Sequence, residues 1–154
     1  MRLTKFTDIA LRVLMVTAHD LGRTYTADEI SRELKVSRNH LTKVIRDLAR
    51  AGILSTQRGS GGGFRLARTP HSITIGEVVR GLEGNSAIVE CFRPDGGNCS
   101  LTPHCKLKAR LASAREAFLR DLDGTSIADC LSPPPAFVAG GALNLEDGLE
   151  RDGR

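Results

Sequence analysis

The fold is decided by residues 26–68, which read TADEISRELKVSRNHLTKVIRDLARAGILSTQRGSGGGFRLAR. Thr26 and Glu29 have the spacing of a capping box, in which each side chain satisfies a backbone N–H at a helix start. Ser37 can cap the next helix, which ends at Gly52 and has an apolar face made of Leu41, Val44, Ile45 and Leu48. Two helices joined by a tight turn are typical of a helix-turn-helix.

A β-hairpin follows directly. Residues 53–58 (ILSTQR) and 64–68 (FRLAR) flank the glycine-rich run at 59–63, and the second segment alternates apolar with other residues. This pattern predicts two strands joined by a small tip. The glycines are not a nucleotide-binding P-loop, because no Gly-Lys-Ser/Thr follows them. A helix-turn-helix followed by such a hairpin is a winged helix.

Amphipathic helices flank this segment. The first is expected to have Thr7 as its N-cap, to end at Gly22 and to carry the apolar stripe Phe6, Ile9, Ala10, Val13, Leu14, Thr17 and Leu21. Downstream, Thr74 and Glu77 form a second capping box, which opens a short helix that ends at Gly84. Together with the hairpin, these helices complete the winged-helix unit.

A long helix is expected near the C-terminus, with Thr102 as N-cap, Pro103 as first residue and an end near Gly124. Its stripe approximates a coiled-coil seam and consists of Leu107, Leu111, Ala114, Phe118 and Leu122. The pattern alone allows packing on the same domain as well as dimerisation. The predicted fold class is mainly α with a small β-hairpin: a winged helix-turn-helix plus a long dimerisation helix.

Composition and charge narrow the function. The chain has 154 residues, of which 40% are hydrophobic and 26% charged, and it carries a net charge of +4. No segment resembles a signal peptide or a membrane span, so we expect a cytoplasmic protein without a membrane partner. Residues 32–68 hold nine basic and two acidic residues, which indicates a surface that binds a polyanion.

Candidate DNA contacts lie on the second helix and on the wing. The helix offers Ser37, Arg38, Asn39, His40, Thr42 and Lys43 on the side opposite its apolar face, and the wing offers Arg58 and Arg65. Arg and Asn can form paired hydrogen bonds with base edges in a major groove, whereas Lys suits phosphates. Many helices have a charged solvent face, but the position before a wing favours contact with double-stranded DNA.

Three cysteines occupy a stretch with few apolar residues. Cys91, Cys99 and Cys105 lack the close pairing of common zinc modules, and in a reducing compartment structural disulfides are not expected. Cys105 would lie at a helix start, where free N–H groups and the helix dipole stabilise a thiolate or an anionic iron–sulfur cluster. A fourth ligand is left open by the residue types, with Cys130, His104, His71 or a distant carboxylate as candidates.

Several motifs together resemble the Rrf family of winged-helix iron–sulfur regulators. They are the three-cysteine loop and residues 1–8 (MRLTKFTD), 36–41 (VSRNHL), 58–63 (RGSGGG) and 75–80 (IGEVVR). The resemblance implies a homodimer with crossed long helices on a partly palindromic promoter site. It also implies a cluster ligated by Cys91, Cys99, Cys105 and Asp8 of the partner subunit.

Within this family, the residues resemble the nitric-oxide-sensing branch. Cluster-assembly members have a His where this chain has Lys108, and iron-responsive members have an Asn where it has Asp8. The resemblance therefore implies a [4Fe-4S] rather than a [2Fe-2S] cluster, in a transcription repressor that leaves promoters when nitric oxide reacts with the cluster. An iron- or redox-responsive regulator of the same fold, or a zinc-stabilised DNA-binding protein, is the alternative.

An enzyme is not expected, because no cysteine has a His and carboxamide constellation around it. The expected organisation has four parts: a winged-helix DNA-binding domain at 1–84, a cluster-binding loop at 85–105, a dimerisation helix with a short terminal helix at 102–131, and a disordered tail at 132–154.

Overall fold

The computed structural model of the chain describes residues 2–59, 61–84, 86–102 and 104–133, and Val138. Over these residues the helices are α1 Lys5–Thr17, α2 Ala27–Glu33, α3 Arg38–Arg50, α4 Ile75–Glu83 and α5 Lys106–Asp123. The strands are β1 Leu54–Gln57 and β2 Gly63–Leu66, and short 3₁₀ turns span Pro70–Ser72, Glu90–Phe92 and Ala128–Cys130. The predicted fold class, a winged helix-turn-helix followed by a long helix, is confirmed.

The helix-turn-helix has the predicted caps. Thr26 and Glu29 form the complete capping box at the start of α2, and Ser37 is the N-cap residue of α3, although its hydroxyl makes no capping hydrogen bond. Lys35 takes a positive φ of 52° in the tight turn between them. The Ser31 hydroxyl donates to the carbonyl of Val36 at 2.7 Å, which closes the turn.

The wing is an antiparallel hairpin in the register Leu54↔Leu66 to Gln57↔Gly63. Phe64 on β2 also pairs with Tyr25, through reciprocal backbone hydrogen bonds of 2.9 and 2.8 Å. Gly63 lies directly against the Tyr25 backbone, so a side chain there would collide with it. The segment that leads into α2 is thereby joined to the wing.

Helix α1 lies at the centre of the core, and its boundaries differ from the expected ones. Its N-cap is Thr4, whose hydroxyl accepts from the Thr7 N–H, so Thr7 is the third residue of the helix rather than its cap. The helix ends at Thr17 rather than at Gly22. The predicted apolar stripe of this helix included Leu21, but Leu21 lies beyond the end of α1 and is exposed.

Helix α4 begins with half of the predicted capping box. The Thr74 hydroxyl accepts from the Glu77 N–H at 3.1 Å, but the Glu77 carboxylate pairs with Arg68 at 2.6 Å instead of returning to the cap. Arg68 follows the second strand of the wing and lies close to Glu77. Because the Arg68 guanidinium is charged, it attracts the Glu77 carboxylate more strongly than the neutral backbone N–H of the cap does. The wing and α4 are held together by this pair.

Helix α5 begins later than predicted. Its N-cap residue is Cys105, not Thr102, because the Thr102 N–H donates to the Cys99 carbonyl at 3.2 Å and Thr102 belongs to the preceding turn. Pro103, the expected first helical residue, lies outside the described residues. Leu119 packs α5 onto α4, and Arg80 of α4 pairs with Glu116 and Asp123 of α5.

The described part of the chain leaves much of the apolar seam of α5 exposed. Leu119 is 4% exposed, whereas Leu107 is 63% and Phe118 38% exposed. A groove of about 400 Å³ runs along this side and is lined by Ile88, Val89, Leu111, Ala114, Arg115 and Phe118. Packing on the same domain therefore accounts for one side of α5 and leaves the seam open.

The tail expected at 132–154 lies outside the described residues, apart from Ser132, Pro133 and Val138. Val138 is buried with the core residues, which the expectation of a disordered tail did not anticipate. None of the helices in the described part of the chain is both long and apolar enough to span a membrane.

Substitutions at two glycines of α4, Gly76 and Gly81, test how closely α5 packs against α4. A Cβ on Gly76 would lie 2.6 Å from the backbone N of Asp123, whereas Gly81 on the same helix faces open space. We expect Gly76→Ala to lower the free energy of unfolding by about 1–3 kcal/mol through overpacking. Gly81→Ala should raise it by about 0.5–1 kcal/mol, because alanine favours a helix interior.

Urea unfolding of the full chain at one fixed protein concentration measures both effects. Equal effects of the two substitutions would show that α4 and α5 do not approach as closely as described.

Candidate functional site

The outward face of α3 is the first candidate surface. Leu41, Val44, Ile45 and Leu48 are buried against the core, which turns the opposite side of the helix to solvent. All six residues predicted for DNA contact at this helix are exposed: Ser37, Arg38, Asn39, His40, Thr42 and Lys43. The structure thus leaves them available to a large partner.

Two side chains of this face already have local contacts. Nε of Arg38 lies 2.8 Å from a carboxylate oxygen of Asp28 on α2. The Thr42 hydroxyl donates to the Arg38 carbonyl at 2.9 Å, so its proton is used within the helix and its oxygen remains as an acceptor. The face therefore offers donors mainly from Arg38, Asn39 and Lys43.

The wing presents Arg58 and Arg65 on the solvent side. Phe64 and Leu66 point inward on β2, and the alternation of a strand places Arg65 between them on the outside. Gly59 and Gly61 have positive φ angles of 99° and 77°, which a tight tip requires. Ser60 lies outside the described residues.

The cysteine loop is ordered by local turns rather than by a core. The Glu90 carboxylate accepts from the Asn98 N–H at 3.1 Å, and the Asp95 carboxylate accepts from the Gly97 N–H at 3.0 Å and pairs with Arg93 at 2.8 Å. The stretch has few apolar residues, and none of the apolar side chains among its described residues is buried. Its order depends on a few exposed hydrogen bonds.

The three thiols are free and half-buried. Cys91 lies in the 3₁₀ turn Glu90–Phe92, Cys99 in a following turn, and Cys105 at the N-cap of α5. In the described part of the chain, no three His, Cys, Asp or Glu side chains are grouped so that they could hold a metal ion. The predicted ligand set therefore remains a prediction.

The donor chemistry of the loop nevertheless fits an iron–sulfur cluster. Thiolates are the ligands that such clusters prefer. Cys105 makes no capping hydrogen bond, so the first N–H groups of α5 remain available to an anionic group. The hydroxyl oxygen of Thr102 is buried and has no hydrogen-bond partner among the described residues.

The candidates for the fourth ligand lie in different places. Asp8 is in the first turn of α1 and pairs with Arg12 at 2.9 Å, with about half of its side chain exposed. His104 is exposed beside Cys105. His71 is exposed in the turn Pro70–Ser72, and Cys130 is half-buried in the turn Ala128–Cys130.

Glu83 is a buried residue that the sequence pattern did not single out as functional. One of its carboxylate oxygens accepts from the Thr4 N–H at 2.7 Å, the Thr4 hydroxyl at 2.7 Å and the Thr7 hydroxyl at 2.5 Å. Burial raises its pKa, but hydrogen bonds from Thr7, Thr4 and Ser86 outweigh burial and leave the pKa below the usual value. Glu83 joins the start of α1, which carries Asp8, to the entrance of the cysteine loop.

The spacing of α4 contained a signal for this residue. Glu83 follows Val79 by four positions, which places it on the apolar side of an amphipathic helix. A charged residue at such a position requires partners, because burying an unpaired charge is costly. Its partners could not be read from the sequence, since Thr4 and Thr7 are more than 70 positions away.

Comparison of the sequence identifies relatives over most of the chain. The model of the Rrf2 family, described as an iron-dependent transcriptional regulator, matches residues 3–133. The HTH-type transcriptional regulator NsrR of Geobacillus kaustophilus is 44% identical over 132 residues, which cover 85% of this chain and 90% of that protein. The protein of the same name from Shouchella clausii is 41% identical and covers 84% and 87%.

Solved structures show the same fold. IscR of T. potens has 23% sequence identity and a TM-score of 0.64, and the match covers 84% of this chain and 85% of that chain. The global cysteine regulator CymR of B. subtilis has 23% identity and a TM-score of 0.65, with 84% and 95% covered. At this identity the likeness concerns the fold alone.

The buried carboxylate of Glu83 should be measurable in the stability of the protein. We expect Glu83→Ala to lower the free energy of unfolding by about 1–3 kcal/mol, because the buried Thr7 hydroxyl and the N–H and hydroxyl of Thr4 lose their acceptor. Glu83→Gln, which keeps an acceptor but loses the charge, should have an intermediate effect. Glu33→Ala is the matched control, since Glu33 is exposed on α2.

The same variants test the pKa. A lowered pKa means that the contribution of Glu83 is complete above its unfolded pKa of 4.5 and is lost as the pH falls through the folded pKa. The difference between the wild type and Glu83→Gln should therefore shrink as the pH falls below 4.5. A difference that is independent of pH would show that the charge of Glu83 has no part in the stability.

Proposed function

This chain belongs to the Rrf2 family of transcriptional regulators, and we propose that it is a dimeric repressor which releases promoter DNA when nitric oxide reacts with its iron–sulfur cluster. Family membership confirms the resemblance found in the sequence and the expectation that the chain is not an enzyme. The observation that carries the proposal is a loop with three free thiols between a winged helix and α5. Identities of 38–44% to regulators named NsrR support nitric oxide as the signal.

The winged helix reads the DNA in this proposal. Two copies of α3 would enter successive major grooves of a partly palindromic site, with Arg38 and Asn39 at base edges and Lys43 at phosphates. Arg58 would reach the minor groove, because the tip of the wing beside it has no bulky side chain. The open seam of α5, with Leu107 and Phe118 exposed, supports dimerisation through that helix.

In this proposal, each segment of the chain has its own role. Residues 1–84 bind DNA, residues 85–105 sense the signal, and residues 102–131 hold two chains together. A regulator that binds chromosomal DNA works in the cytoplasm of its cell, as expected from the sequence.

Cys91, Cys99, Cys105 and Asp8 of the partner subunit would hold the cofactor, which we propose to be a [4Fe-4S] rather than a [2Fe-2S] cluster. When bound, the cluster supplies iron atoms with which nitric oxide reacts. A carboxylate is a harder and weaker ligand for this iron than a thiolate, so the Asp8 position is the open point of the site. Arg12 pairs with Asp8 in the unligated chain and would compete for the released carboxylate.

A chain of contacts connects the cysteine loop with α3, the recognition helix of this proposal. Glu83 joins the entrance of the loop to the start of α1, and α1 packs directly against α3. A change at the loop would therefore shift the two copies of α3 relative to each other. A coupling free energy of about 1–3 kcal/mol would change DNA affinity about 5- to 150-fold.

A regulator that responds to iron is the second candidate. It is favoured by one specific observation, the description of the matching family as iron-dependent. Its DNA binding would require iron in the cysteine loop and would persist as long as iron that has reacted with nitric oxide stays bound there.

An anaerobic titration with nitric oxide separates these candidates. The full chain, purified without oxygen, is mixed with a duplex that it selects from a randomised library, and visible absorbance and fluorescence anisotropy are recorded together. We expect both to fall at the same stoichiometry, with a loss of DNA affinity of about 5- to 150-fold. Cys99→Ser, which lacks one ligand, should be colourless and indifferent to nitric oxide.

A cluster that reacts while DNA binding stays constant would favour the iron-responsive regulator. A colourless wild type with stoichiometric zinc would instead indicate a zinc-stabilised DNA-binding protein.

Mixed dimers test whether Asp8 acts across the interface. In a dimer of one Asp8→Ala chain and one Cys99→Ser chain, the intact cysteine loop faces the partner that keeps Asp8. We expect such dimers to retain one stable cluster, while Asp8→Ala homodimers lose theirs faster, as measured by the decay of absorbance with a chelator present.

Arg12→Ala is the control, because it removes the ion pair of Asp8 but leaves the carboxylate. If Asp8 only complements the helix dipole, the mixed dimer will lose its cluster as fast as the Asp8→Ala homodimer.

A further inference from the structure

An ion pair crosses the helix-turn-helix at the start of the recognition surface. Asp28 lies in the first turn of α2, and Arg38 is the first residue of α3. Nε of Arg38 is 2.8 Å from Oδ1 of Asp28, and the two side chains are 67% and 63% exposed. An ion pair this exposed contributes little to stability, so its effect must be sought in the position it gives to Arg38.

The guanidinium atom closest to Asp28 is Nε, and the described residues accept no hydrogen bond from the terminal amino groups of Arg38. An arginine reads guanine by offering two N–H groups to the O6 and N7 atoms. Asp28 thus contacts Arg38 at Nε, and the terminal amino groups of Arg38 remain available as donors to a base.

The carboxylate also changes the local charge. Residues 32–68 are strongly basic, and this charge attracts the phosphates of any DNA irrespective of sequence. Glu29, the neighbour of Asp28, is engaged with Arg23 and with the capping box. Asp28 is therefore well placed to oppose phosphate binding at the start of α3.

We propose that Asp28 is a positioning residue that determines specificity: it orients Arg38 toward a base edge and keeps it from binding phosphates. With the correct base, the Asp28–Arg38 pair and the base contact coexist, and they strengthen each other as water is excluded. With a wrong base, Arg38 stays with Asp28 and gains little from the DNA. The inference rests on the proposed role of Arg38 in DNA binding.

The test compares two duplexes, one selected from a randomised library by the full chain and one with the same bases scrambled. Affinities for both are measured at several salt concentrations with Asp28→Asn and with Glu33→Gln. The second variant is a matched control, because Glu33 is an exposed acid on the same helix and has no ion pair in the described structure. Both variants add the same charge to the protein.

We expect Asp28→Asn to reduce the ratio of selected to scrambled affinity about five- to tenfold. The salt dependence for the scrambled duplex should steepen by about one phosphate contact, since Arg38 is released. Glu33→Gln should leave the ratio unchanged. An equal shift in both variants, or an unchanged ratio in Asp28→Asn, would refute the role of Asp28.

Arg38→Ala distinguishes this inference from the proposed function. If Arg38 reads a base, this variant selects duplexes that are relaxed at one position, and adding Asp28→Asn to it has no further effect on the ratio. If Arg38→Ala selects the same duplexes as the wild type, the DNA contact itself is wrong. Asp28→Glu, which keeps the charge at the helix start, should restore most of the ratio and excludes a defect of folding.

Discussion

Burial of helix α1 is the constraint on which the rest of the structure depends. Ile9, Ala10, Val13 and Leu14 are almost fully buried, and the helix packs against both α3 and α4. Each large aliphatic side chain buried in this way contributes about 1.5–3 kcal/mol. The recognition helix and the helix that leads into the cysteine loop are therefore held by the same element, and the carboxylate of Glu83 fixes where that element begins.

Local patterns predicted the winged helix because its decisive interactions are local. The capping box of Thr26 and Glu29 and the alternation around Phe64 each involve residues close in sequence. The predicted starts of α1 and α5 were wrong, because hydrogen bonds to other residues changed which residue caps each helix. Thr4 replaced Thr7 as the cap of α1, where Glu83 binds both side chains, and Thr102 belongs to a turn that precedes α5.

The site was predictable in its residue types and less so in its geometry. Exposure of Arg38 and Asn39 follows from the apolar face of α3, which the spacing of Leu41 and Leu48 already indicated. The partners of Asp28 and Glu83 depend on how helices cross, and a single sequence does not contain that information. The ligand that we propose from the partner subunit would be a property of two chains and cannot be derived from the spacing within one.

The cysteine loop combines weak internal order with firm ends. Its described turns depend on exposed hydrogen bonds of Glu90 and Asp95, which water can replace at little cost, so the loop can rearrange without disturbing the core. Its ends are held differently, by Glu83 at the entrance and by α5 at the exit. A loop of this kind can bind or release a metal cluster at little conformational cost. Because both ends are attached to helices, a rearrangement of the loop can shift α4 and α5, and with them the start of α1 and the apolar seam of α5, while the core stays folded.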